Sequence, residues 1–194
     1  MRLFVGIALA EAVVRELKSA VARLRSSDGP AERPARELPG CGLRWTAPES
    51  WHITLQFLGH ATPEQLACLR SRLGEVRSAP VPVEMGALGC FDGAGVFFAD
   101  VAVTPGLAAL GRSVVAATAQ CGFVAETRPF HPHITLARAK GQGRGGGLRT
   151  SAGGVRNQPP FSRFTAREFL LYESHLGAEG ARYEVRGRFP LIGR

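Results

Sequence analysis

Apolar and polar positions alternate from the first residues, so Arg2 to Leu9 reads as a strand with Val5, Ile7 and Leu9 on one face and Phe4 on the other. The ten residues Met1 to Ala10 superficially mimic a short signal peptide, but the apolar run is minimal and only Arg2 precedes it, which favours the strand. From Glu11 to Arg25 the period changes. Val13, Val14, Leu17, Val21 and Leu24 recur at helical spacing and predict an amphipathic helix. Ser26 to Gly42 collects Asp28-Gly29-Pro30, Pro34 and Pro39-Gly40, the composition of an exposed connection. A short strand over Arg44 to Thr46 and a stronger one over His52 to Leu58 come next. Thr62-Pro63-Glu64-Gln65 then supplies an N-cap with proline at the first helical position, for a helix reaching about Val76.

Val81 to Leu88 and Gly95 to Val103 read as a hairpin turning at Phe91-Asp92-Gly93. Thr104-Pro105 opens a third helix, with Leu107, Leu110, Val114, Val115 and Thr118 on one side and a glycine stop at Cys121-Gly122. His133 to Leu136 is the next strand. Gly141 to Gly154 holds seven glycines and two arginines without an apolar period, so flexible segments are expected at about 26–42 and 141–160. Thr165 to Ser174 and Tyr183 to Leu191 close the chain as two strands across a turn at Gly177 to Gly180. Strands adjacent in sequence point to antiparallel pairing and an α+β fold in one domain spanning residues 1–194.

Composition narrows the function classes. The 194 residues are 45% hydrophobic, enough for a real core, and no apolar run approaches the length needed to cross a bilayer. Against 16 acidic residues stand 24 basic ones, all arginine except Lys18 and Lys140, for a net charge of +8. A polyanion such as nucleic acid suits that balance, and arginine is the better fork for phosphate; a GC-rich coding sequence would give the same arginine bias. Cys41, Cys68, Cys90 and Cys121 form no Cys-x-x-Cys pair, which predicts neither a zinc site nor a disulfide framework but reduced thiols in the cytoplasm.

One feature carries chemistry. His-Ile-Thr-Leu occurs twice, at His52 to Leu55 and at His133 to Leu136, each inside a predicted strand. Alternation places His52 and Thr54 on one face with Ile53, Leu55 and Phe57 on the apolar side, and His133 and Thr135 behave likewise. Two similar lobes facing each other would bring two imidazoles and two hydroxyls to one point. Such a set performs phosphodiester chemistry without a metal: one neutral imidazole takes a proton from water, a protonated one gives a proton to the leaving oxygen, and the threonines hold phosphate oxygens. A lone strand histidine is usually structural; the matched duplication is what argues for function.

The segments Trp51 to Gly59 and Phe130 to Arg138 resemble the paired His-x-Thr motifs of the 2H phosphoesterases. The likeness is specifically to the RNA 2′,3′-cyclic phosphodiesterases, also called 2′-5′ RNA ligases. The opening Arg2 to Leu9, the Leu171 to Leu176 run, and Gly180, Tyr183, Val185 and Phe189-Pro190-Leu191 fit the same pattern, leaving Ser26 to Gly42 and Gly141 to Pro160 as the poorly matched parts. The resemblance implies two pseudo-symmetric lobes, each an antiparallel sheet with flanking helices, around a central cleft lined by His52, Thr54, His133 and Thr135. It implies opening of a terminal RNA 2′,3′-cyclic phosphate to a 2′-phosphate, without metal or cofactor, and in some members the reverse 2′-5′ joining of tRNA halves. Carried over, His133 is the base and His52 the acid, with the opposite assignment left open because ligation reverses the roles.

Arg138 matches a family arginine expected to contact substrate. Counted from His133, however, it falls on the wrong face unless the strand ends or bulges near Ala137. Phe4 is a candidate stacking platform for a base or, equally, part of a second core face. Gln56 shares the face of His52 and could line the site, Trp45 and Trp51 are rim or packing groups, and His131 with His133 makes a weak metal-pair candidate without an acidic cluster. The expected partner is RNA with cyclic phosphate ends, with no membrane and no obligate protein partner, the chain being a monomer. The alternatives are a related phosphoesterase acting on ADP-ribose cyclic phosphate or 2′-5′ oligonucleotides, and an RNA-binding module without turnover.

Overall fold

The computed structural model describes residues 1–27, 43–139, 161–177 and 180–193. Three helices, α1 (Glu11–Ser27), α2 (Pro63–Gly74) and α3 (Pro105–Ala119), stand among ten strands. The strands are β1 (Arg2–Ala8), β2 (Leu43–Trp45), β3 (His52–His60), β4 (Val81–Val83), β5 (Met85–Phe91), β6 (Val96–Val101), β7 (His133–Ala139), β8 (Phe164–Ala166), β9 (Glu168–Gly177) and β10 (Gly180–Pro190). Both predicted flexible segments lie outside the described residues, apart from Ser26 and Ser27, which complete α1.

Two four-stranded antiparallel sheets carry the architecture, one in the order β10-β9-β1-β3 and the other β2-β7-β6-β5, with β4 and β8 forming a separate ribbon. The α+β arrangement expected from the sequence is therefore present, with one His-x-Thr copy in each large sheet. β3 is the edge of the first sheet, β7 lies next to the short edge strand β2 of the second, and the two strands make contact.

Local chemistry explains the helix starts. Thr62 accepts from the Gln65 amide while the Gln65 side chain reaches back to the Thr62 N–H, a reciprocal capping box ahead of Pro63. Thr104 caps α3 by a single bond, its hydroxyl accepting from the Leu107 N–H ahead of the helix that opens at Pro105. One continuous apolar core joins the sheets: Val5 and Ile7 of β1, Leu17 of α1, Ile53 of β3, Leu69 of α2, Phe97 of β6, Leu110 of α3 and Ile134 of β7 are all essentially inaccessible.

Three expectations need correction. The strand read over Val81 to Leu88 is two strands in different sheets, β4 pairing with β8 and β5 with β6; the chain changes partners at Glu84, whose carbonyl accepts from the Ala102 N–H. Thr165 to Ser174 likewise divides at Arg167, whose carbonyl accepts from the Leu191 N–H. An apolar run does not record which sheet it joins. Cys68 and Cys121, expected as thiols, form a disulfide between α2 and the residue beyond the α3 C-cap, with Sγ–Sγ at 2.05 Å. Packing of α2 against α3 brings their Cα atoms to 5.8 Å, which a separation of 53 residues could not announce.

Candidate active site

The two motif strands carry the same irregularity at the same place. In the β1–β3 ladder Gly6 faces Thr54 and Val5 faces Gln56, so Leu55 is an extra residue; in the β6–β7 ladder Phe98 faces Thr135 and Phe97 faces Ala137, so Leu136 is extra. Each bulge resets the alternation. Leu55 and Gln56 both turn inward, as do Leu136 and Ala137, and the next residues, Phe57 and Arg138, return to the face of the histidine and threonine.

That reset decides three of the sequence-based readings. Arg138 is exposed on the cleft face, the bulge having removed the parity objection. Phe57, expected on the apolar side, is 52% exposed; Gln56, expected in the cleft, is buried. The Gln56 Oε1 accepts from the Thr118 hydroxyl of α3 at 2.7 Å, and its buried Nε2 has no partner among the described residues. Uniform alternation therefore missed Phe57 as a cleft residue, and its equivalence to Arg138 in the repeat is the signal that would have found it.

The histidines are held alike. His52 Nδ1 donates to the Ser50 carbonyl and His133 Nδ1 to the His131 carbonyl, each at 2.8 Å and each two residues back. A carbonyl can only accept, so Nδ1 carries a proton in both rings and Nε2 is the atom left to work. Thr54 and Thr135 are half-buried beside them, and neither hydroxyl has a partner among the described residues.

Their surroundings differ. The His52 ring lies over Gly6, where a Cβ would come within 3.5 Å of Cδ2, and beside Phe4 at 4.6 Å, Tyr183 at 5.0 Å and Tyr172 at 5.9 Å. Burial in that aromatic wall lowers its pKa to about 4, with the charges of His133 and Arg138 pushing the same way. His133 stands against Phe91 and Phe98 at 5.1 and 5.4 Å. Its pKa is also lowered, first by burial and then by His131 and Arg138, while the His131 carbonyl and Asp100 oppose the shift. Asp100 faces His133 across the β6–β7 ladder and holds the His131 Nε2 at 2.9 Å. The matching place opposite His52 is Ala8, so the two imidazoles differ in having a carboxylate or a methyl group as the residue opposite on the ladder.

Phe4 is not an exposed platform. At 3% exposure it packs with Leu170, Tyr172 and Tyr183 in a small second cluster on the cleft side of its sheet, forming the wall behind His52. Trp51 is buried and donates to Thr46 Oγ1 at 2.9 Å; Trp45 packs edge-on to Phe97, so both tryptophans serve packing. Among the described residues Glu173, His175 and Glu184 come close enough together to hold a cation, but Arg186 already bridges both glutamates at 3.2 Å.

The fold is that of an α+β protein of two antiparallel sheets, each presenting one His-x-Thr face, with β3 and β7 in contact and His133 bearing on His52. The sequence profile of the 2′-5′ RNA ligase superfamily matches residues 13–178, and the chain belongs to that family. It is 32% identical over 191 residues to an RNA 2′,3′-cyclic phosphodiesterase of Geobacillus stearothermophilus, covering 95% of this chain and 57% of that one. It is 28% identical to the RNA 2′,3′-cyclic phosphodiesterase of Archaeoglobus fulgidus, covering 95% and 97%. Among solved structures it is similar to Escherichia coli LigT in apo form, with a TM-score of 0.72, 25% identity and coverage of 98% and 96%. A Thermus thermophilus protein, TT0787, gives 0.71, 26%, 100% and 99%. No helix among the described residues is long and apolar enough to cross a membrane.

Proposed function

We propose that this protein hydrolyses the 2′,3′-cyclic phosphate at an RNA end to a 2′-phosphate and a free 3′-hydroxyl. The observation that carries the reading is the matched pair of Nδ1-anchored histidines, each leaving Nε2 and an unpartnered threonine hydroxyl on one cleft face, with Arg138 bearing on both rings.

In the reaction, water attacks phosphorus as His133 Nε2 takes its proton, the P–O3′ bond breaks, and His52 Nε2–H gives its proton to O3′. Thr54 and Thr135 donate to the non-bridging oxygens, and Arg138 offsets the charge that builds on them. Both imidazoles are held below their ordinary value, so it is the bound anion that favours the one proton the pair must carry. With a 5′-terminal RNA hydroxyl in place of water as the nucleophile, the P–O5′ bond forms, O3′ again leaves with a proton, and the same groups join RNA through a 2′-5′ linkage. The names of the relatives support RNA over a smaller cyclic phosphate. The proposed substrate is an RNA end, tRNA fragments included, and the proposed working form is a monomer in the cytoplasm.

The test is an RNA oligonucleotide ending in a 2′,3′-cyclic phosphate, incubated in EDTA with the protein and with its His52→Ala and His133→Ala variants. The expected product is a 2′-phosphate, its formation slowed at least about 10²-fold in each variant. RNA that binds and stays cyclic overturns the reading in favour of a binding module.

A further inference from the structure

The face of the first sheet that carries Phe4 and His52 also holds a cation. Arg2 opens β1 on the parity of Phe4, while its neighbours Leu3, Val5 and Ile7 point into the core. It is exposed, and its side chain has no ion pair or hydrogen bond among the described residues. Gly6, over which His52 lies, is four residues further along the strand, about 13 Å at the usual rise. Arg2 therefore leaves the strand at a position well removed from the one that His52 covers.

Tyr183 spans the interval. Its ring meets Phe4 edge-on at 4.9 Å and His52 at 5.0 Å, and its hydroxyl has no hydrogen-bond partner among the described residues. The guanidiniums of Arg138 and Arg2 both bear on that phenol. Val185, two residues on, faces Tyr172 and is 38% exposed, so an apolar surface continues beyond the ring. Two cations with no ion pair among the described residues, separated by an aromatic step, match the alternation of phosphates and bases in a single strand of nucleic acid. An acidic peptide would leave the rings unexplained.

We propose that Arg2 and Tyr183 form a second subsite, which takes the phosphodiester on the 5′ side of the terminal nucleoside and makes an RNA strand the preferred substrate over a lone nucleoside cyclic phosphate. The inference rests on the RNA-end reading above and extends it. Arg2 supplies the charge, the Tyr183 hydroxyl donates a hydrogen bond, and the ring keeps the strand on the first sheet.

The experiment compares kcat/KM for a nucleoside 2′,3′-cyclic phosphate and for a trinucleotide with the same end, in the wild type, Arg2→Gln, Arg2→Lys and Tyr183→Phe. Arg2→Gln is expected to lower the trinucleotide value about tenfold, as the loss of one charge-assisted contact does, and to leave the mononucleotide value unchanged. The slope of log(kcat/KM) against log salt for the trinucleotide should become shallower by about 0.7, and Arg2→Lys should restore it. Tyr183→Phe should cost the trinucleotide at least about threefold more than the mononucleotide, for loss of one hydrogen bond. A loss shared equally by the two substrates, or no loss, in either variant overturns the subsite. A wild type that opens neither substrate overturns the RNA-end reading itself.

Discussion

Phe57 and Arg138 occupy one position in two copies of the same bulged strand, five residues beyond His52 and five beyond His133. Each reaches the cleft only because Leu55 and Leu136 are accommodated as extra residues. One lobe thus presents an aromatic ring where the other presents a guanidinium, a division suited to a ligand with a base at one end and a phosphate at the other.

Phe57→Ala is expected to lower kcat/KM for a cyclic-phosphate RNA about tenfold, the scale of one lost base stack. Thermal stability should move little, because the ring is half exposed. Arg138→Gln should cost more, since in the proposed reaction it removes the charge that offsets the reacting phosphate. Steady-state kinetics beside a melting curve checks both; a melting change as large as the kinetic one would mean that the ring is structural.

The pH profile of kcat/KM should be a bell lying on the acid side of pH 6.5. Both histidines titrate below that value in the free protein, so the base becomes available at low pH and the acid has lost its proton before neutrality. Asp100→Asn removes a charge that raises His133, and the limb belonging to His133 should move to lower pH while the other stays. A profile in which neither limb moves would rule out that influence.

Stability should fall as the solution is acidified from pH 6.5 towards pH 4. His52 binds a proton near 6.5 in the unfolded chain and at about 4 in the folded one, so protons favour unfolding across that window. Urea titrations at a series of pH values should show the slope, and His52→Gln should flatten it.

Gly6→Ala should damage the site through the backbone. A Cβ there would sit 2.7 Å from the Ile53 carbonyl oxygen, which cannot rotate away, so the backbone next to His52 would have to shift. The expected cost is about 1–3 kcal/mol with a matching drop in kcat. Gly74→Ala, where nothing lies within 4 Å, is the control and should be close to neutral in both measurements.

Reducing the Cys68–Cys121 bond should lower the melting temperature without changing the rate of the folded protein. Closing a separation of 53 residues contributes about 2–4 kcal/mol, and the bond ties α2 to the end of α3, not to either histidine. Melting curves with and without a thiol reductant, and of Cys68→Ser, test this; equal curves would show that the bond adds nothing.

Much of this protein is legible in the sequence. The alternation in β1, the helical spacing of α1, the Thr-Pro starts of α2 and α3 and the doubled His-x-Thr are local patterns, and local patterns record which element forms and which residue types it carries. The histidine and threonine faces followed from two-residue periodicity up to the third position after each histidine. Beyond that point only the tertiary structure decided. A bulge is set by the register of the partner strand, so Phe57 and Gln56 exchanged sides and Arg138 gained the cleft for reasons that lie in β1 and β6. Strand partnership split Val81 to Leu88 between two sheets, helix packing closed Cys68 onto Cys121, and a buried wall drawn from β1, β9 and β10 lowered His52 towards 4. Each of these depends on residues distant in the chain meeting at short range, which periodicity along one segment does not contain.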